Sequence, residues 1–96
     1  MKLTAQNLQD ILEIAKESVI TESDCFNYKV GNYDLFIFCD FRSDDEEYWA
    51  IELNRVDENG CSELLSGWNE VVDYKDYDAL LVACERLAER YFEEVW

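Results

Sequence analysis

Two alternating runs that meet at one tight turn constrain this chain more than any other feature. Phe26, Tyr28 and Val30 alternate with Asn27 and Lys29. Tyr33, Leu35, Ile37, Cys39 and Phe41 alternate with Asp34, Phe36, Phe38 and Asp40. Between the runs stands Gly31-Asn32, a two-residue connection of the hairpin type. A period of two is that of a strand with one face buried. With this turn Val30 faces Tyr33, Tyr28 faces Leu35 and Phe26 faces Ile37, all on one face. On the other face Lys29 meets Asp34, a favourable cross-strand pair. The register is thus supported from both faces.

The flanking segments complete a small α+β fold. Thr4 caps a first helix, and Leu3 before the cap can staple onto Leu8. Leu8, Ile11, Leu12, Ala15 and Val19 form one apolar stripe, which Thr21 to Asp24 breaks. A third strand is predicted from about Tyr48 to Val56, with Trp49, Ile51 and Leu53 inward. Asp57 to Gly60 forms a second hairpin turn, with Gly60 at positive φ. The fourth strand, Cys61 to about Trp68, places Leu64 on the face of Leu53, and a polar segment, Asn69 to Lys75, follows it. Asp76 caps the last helix, whose stripe is Tyr77, Leu80, Leu81, Cys84, Leu87, Ala88, Tyr91 and Val95. The order is α-β-β-β-β-α, read as a four-stranded antiparallel meander with both helices on one face. The outer sheet face then carries Phe36, Phe38, Ala50 and Leu65, rimmed by Asp34, Asp40, Glu52 and Glu63.

Charge sets the classes of partner. The 96 residues include 23 acids and 8 bases, with no His and no Pro, for a net charge of −15. The length predicts one domain, residues 1–96. Phosphate backbones and anionic membrane surfaces need clustered Lys and Arg, so neither is an expected partner. Self-repulsion at this charge must be outweighed by a core. The composition, 49% hydrophobic and 15% aromatic, is that of a folded chain. The N-terminal residues turn polar at once, without the apolar stretch of an export signal. That reads as a cytoplasmic protein whose four cysteines are reduced thiols.

The charge is not evenly spread. Residues 34–78 hold 14 acids against 3 bases, a net −11, whereas each flanking segment is near −2. In a meander, the start of strand one, the turn between strands two and three and the exit of strand four share one end of the sheet. Ten acids are predicted there: Glu22, Asp24, Asp44, Asp45, Glu46, Glu47, Glu70, Asp73, Asp76 and Asp78. Tyr48, Trp68, Tyr74 and Tyr77 lie among them, and Lys75 and Arg42 are the candidate bases opposing them. Strands about 4.8 Å apart can space carboxylates like a row of phosphates. The candidate partner-binding residues are therefore Asp44, Asp45, Glu46, Glu47, Tyr48, Glu70, Asp73, Tyr74, Asp76, Tyr77 and Asp78.

Nothing in the sequence announces catalysis. Phosphate-loop, nucleophile-elbow and EF-hand patterns are missing, and Asp44 to Glu47 lacks the spacing of a Ca²⁺ loop. Cys39 and Cys84 fall on core stripes. Cys25 and Cys61 look more exposed, but no His can activate them. No catalytic residue, metal or cofactor is expected.

In length, lack of His and Pro, charge and α/β meander, the chain resembles the small acidic anti-CRISPR and anti-restriction proteins of phages. Gly67-Trp68-Asn69-Glu70 with Asp73-Tyr74-Lys75-Asp76-Tyr77-Asp78 is similar to a segment found in a compact Cas9-inhibiting anti-CRISPR. There the Gly-Trp-Asn ends a helix, whereas here it falls at a strand end. The resemblance implies an inhibitor that mimics nucleic acid and fills the basic channel of a nucleic-acid-binding protein, such as a CRISPR effector. Asp44 to Glu47 and Asp73 to Asp78 would then engage its arginines through charge-assisted bonds. Two other readings fit the same residues. One is an immunity protein that neutralises a basic toxin. The other is a binding module that docks or dimerises through Phe36 and Phe38, so the expected state is monomer or homodimer.

Overall fold

The computed structural model of the chain describes residues 3–41 and 47–91, with the backbone alone at 41 and 66–70. Its elements are α1 (Ala5–Ile20), β1 (Cys25–Val30), β2 (Tyr33–Phe41), β3 (Glu47–Val56), β4 (Ser62–Asp73) and α2 (Tyr77–Tyr91). Thr4 opens α1 through a capping box. Its hydroxyl accepts from the Asn7 N–H at 3.0 Å, and the Asn7 side chain accepts from the Thr4 N–H at 2.9 Å. Leu3 and Leu8 join the same core, as a hydrophobic staple requires. Ile11, Ala15 and Ser18 are the buried face of α1.

The helix ends in a Schellman motif. The Ser23 N–H donates to the Ser18 carbonyl at 2.9 Å, and the Glu22 N–H to that of Val19 at 3.3 Å. Glu22 sits at φ 57, the left-handed position that glycine usually fills. A glutamate there carries backbone strain.

The sheet order is β1-β2-β3-β4, antiparallel throughout, so the expected meander is present. The first hairpin has the expected register, with Val30 opposite Tyr33, Tyr28 opposite Leu35 and Lys29 opposite Asp34. Gly31 alone of the turn pair has positive φ, 59°, which is the type II′ pattern. In the second hairpin Gly60 has φ 81, as expected. The Asp57 carboxylate accepts from the Asn59 and Cys61 N–H groups, both at 2.9 Å, and closes that turn.

The last strand departs from the expectation in two ways. It continues to Asp73, so Glu70 and Asp73 belong to the sheet rather than to a following loop. The β-branched pair Val71-Val72 suits a strand, and Val72 lies opposite Trp49. Register shifts also occur between Ile51 and Leu53 and between Leu53 and Asn54. Each extra residue reverses the faces of what precedes it. Nearer the turn, the second hairpin pairs Val56 with Ser62, one residue later than a turn ending at Gly60 implies, so Leu64 is opposite Asn54 on the outer face and 57% exposed, not inward with Leu53. Leu65 packs against the core instead of standing on the outer face. Glu63 lies opposite Arg55 and pairs with it at 2.8 Å, so it is not part of the outer rim.

Both helices cover the inner face. Leu35, Ile37, Trp49, Ile51 and Leu53 from the sheet meet Ile11 and Ala15 of α1 and Leu80, Cys84, Leu87 and Ala88 of α2. Tyr28 clasps α1 to β1, donating to the Asp10 carboxylate at 3.0 Å and accepting from the Asn7 side chain at 3.0 Å. Among the described residues, no helix is long and apolar enough to cross a membrane.

Candidate functional site

The meander brings one end of each strand pair together, and the acids follow. At this end Cys25 opens β1, Phe41 faces Glu47 across β2 and β3, and Tyr48 faces Asp73 across β3 and β4. Two backbone bonds tie the end together. The Cys39 N–H donates to the Asp24 carbonyl at 2.7 Å, and the Tyr74 N–H to the Glu47 carbonyl at 3.4 Å. Of the ten acids expected here, Glu22, Asp24, Glu47 and Asp73 share this end, Asp76 is tied to Asp73 through the backbone, and Asp78 follows in the first turn of α2.

On the helix side these residues open a cleft of about 310 Å³. Glu22, Asp24 and Glu47 line it, together with Val19, Ser23, Cys39, Tyr74 and Lys75. Lys75 is the base at this wall. It also has left-handed backbone, φ 70, in the turn where the Asp76 N–H donates to the Asp73 carbonyl at 3.1 Å. Its ammonium lies 5.6 Å over the Tyr74 ring. Around the corner, on the outer face, Asp40, Tyr48 and Asp73 form one cross-strand row. Carboxylates thus stand on both sides of the sheet end.

The electrostatic consequence is read by neighbouring groups. The Cys39 thiol is pushed up, by burial first and then by Glu47, Asp24 and Asp40. The Tyr74 phenol is pushed up by burial and then by Cys39, Glu47, Tyr77 and Glu22. Burial is the main cause of both shifts, and the nearby carboxylates add to it.

The candidate residues divide by role. Tyr74 and Tyr77 are half-buried against the core, with ring centroids 5.1 and 5.7 Å from that of Trp49. They brace the cleft wall more than they project from it. Asp76 caps α2, accepting from the Ala79 N–H at 3.1 Å. Asp73 and Asp78 are exposed, and Tyr48 is half-buried on the outer face. Glu70 has its backbone opposite Ile51, inside the sheet rather than at its end. Arg42, Asp44, Asp45 and Glu46 lie outside the described residues, as do the side chains of Glu70 and Trp68.

Three contributors had little sequence signal. Asp40, by alternation a rim residue of the outer face, stands in the end row. Cys39 lines the cleft as well as the core. The strained backbone of Glu22 and Lys75 has no residue-type signature, because neither position is Gly or Asn. Among the described residues, the cleft lining presents hydrogen-bond acceptors and the Lys75 ammonium. That set suits the capture of guanidinium or ammonium groups. The chain matches no family model, no curated protein and no solved structure.

Proposed function

We propose that this chain is an inhibitor that acts by occupancy, not catalysis, presenting its acidic sheet end to a basic, nucleic-acid-binding protein of the bacterial cytoplasm. The gathering of Glu22, Asp24 and Glu47 around one cleft, with Asp40 and Asp73 in the adjoining row, carries this reading. Asp40 and Asp73 flank Tyr48 in one row, two strand spacings or about 9.6 Å apart. Arginines that otherwise grip phosphates would form charge-assisted pairs with them. The −15 charge would steer encounter, so association is fast and salt-sensitive. An anti-CRISPR type of inhibitor is the specific form favoured by the resemblance of 67–78.

Retention of partners from bacterial lysate, with and without competing duplex DNA, tests the reading. The expected result is a basic protein that duplex DNA displaces and that Asp24→Asn with Glu47→Gln fails to retain. A partner that DNA does not displace, or that the double variant still holds, removes the mimic.

A further inference from the structure

We infer that the partner surface continues past the acidic end onto the outer face of the sheet, where it takes a protein surface with an apolar centre and a basic rim. This deepens the inhibitor reading and rests on it for the identity of the partner. The cross-strand rows of the outer face alternate in character. The end row is Asp40, Tyr48 and Asp73. The next is Cys25, Phe38, Ala50 and Val71, and behind it lie Asn27, Phe36 and Glu52. Lys29, Asp34, Asn54 and Leu64 close the face.

An apolar strip therefore lies directly behind the acidic row. The Phe36 and Phe38 rings are stacked, with centroids 5.4 Å apart and planes 28° apart. Ala50 is fully buried on this face, while Val71 is 38% and Leu64 57% exposed. Neither helix covers the strip, because both pack on the inner face. Interfaces place apolar and aromatic groups centrally and charge at the rim.

The charge decides the occupant. Among the described residues, the charged groups of this face are Asp34, Asp40, Glu52 and Asp73 against the base Lys29. A second copy would bring like rims together, each on a chain of net −15. A basic rim is complementary, and an apolar side chain within it would meet Phe36, Phe38 and Val71.

Two synthetic peptides of equal length and charge test this on the intact chain, one an amphipathic Lys/Leu helix and the other Lys/Ser. Backbone amide shifts and affinity are read for each. The Lys/Leu peptide should move the amides of Phe36, Phe38, Ala50 and Val71 and bind about tenfold tighter than Lys/Ser. Lys/Ser should move only Glu22, Asp24, Glu47 and Asp73. Val71→Asp should abolish the difference while leaving Lys/Ser binding intact, and Val71→Ser, a milder change, should reduce it. Equal affinities, or Lys/Leu shifts confined to the acidic end, overturn the inference. A dimer in sedimentation that Val71→Asp dissociates overturns it too, in favour of a second copy. If Lys/Ser leaves the acidic end unmoved while Lys/Leu still shifts the Phe36 strip, the mimic reading fails and the outer-face inference stands.

Discussion

Glu22 and Lys75 share an uncommon backbone state and one cleft. Their φ angles are 57 and 70, they belong to connections at opposite ends of the sequence, and their opposite charges line the same wall. A non-glycine residue in this region costs roughly 1–2 kcal/mol, of which glycine recovers part after its own entropy loss. Glu22→Gly is expected to raise stability by about 0.5–1 kcal/mol. Lys75→Gly gains less, because it also removes the ammonium over the Tyr74 ring. Urea denaturation reads both, and a loss of stability in Glu22→Gly would show that its side chain does more than line the cleft. On a basic partner the two should diverge, with weaker binding for Glu22→Gly and tighter binding for Lys75→Gly.

Asp76 has a structural duty and a charge, and these separate. Its carboxylate caps α2 at Ala79. Asp76→Ala should cost about 1 kcal/mol, while Asp76→Asn keeps the cap and is near neutral. Partner affinity should fall in both if the charge matters. Thermal unfolding together with a binding isotherm distinguishes the two duties, and equal melting for Ala and Asn would sink the capping role.

Alkaline pH should loosen the fold. Folding raises the Cys39 thiol above its ordinary 9.0 and the Tyr28 and Tyr74 phenols above 10.0, in each case by burial first. An acid with a raised pKa keeps its proton longer in the folded chain than in the unfolded one. Stability is therefore intact below the ordinary values and is lost as pH rises through the folded ones. Denaturation at stepped pH should show the decline beginning with the thiol, and Cys39→Ser should delay its onset. Salt should lessen only the part of the Cys39 shift owed to Glu47, Asp24 and Asp40. A level stability curve through the phenol range would contradict the placement of Tyr28 and Tyr74.

Adjacent leucines on β4 report its register. Leu65 packs on the core and Leu64 faces out. Leu65→Ala should cost about 2 kcal/mol, and Leu64→Ala within about 0.5 kcal/mol of nothing. The reverse order would restore the pairing of Leu64 with Leu53 that a turn ending at Gly60 implies.

This pair also marks the limit of what the amino-acid order discloses. The first hairpin was legible because turn type, apolar alternation and the Lys29–Asp34 pair all specify the same register. In Leu64-Leu65 both phases offer an apolar residue to the core, so only the hairpin pairing of Val56 with Ser62 decides between them. The acidic convergence was legible because it follows from strand direction alone. The Tyr28 clasp was not, since Asn7 and Asp10 reach it only once α1 lies across β1. The backbone of Glu22 and Lys75 was hidden for a similar reason: tertiary connections impose it on residues that do not favour it.

The two exposed thiols stand at opposite poles of the sheet. Cys25 begins β1 at the acidic end, and Cys61 sits in the far hairpin turn. The molecule thus carries its own footprinting standard. A bound partner at the acidic end should shield Cys25 from an alkylating reagent while Cys61 goes on reacting, so the ratio of the two labels maps occupancy without any foreign tag.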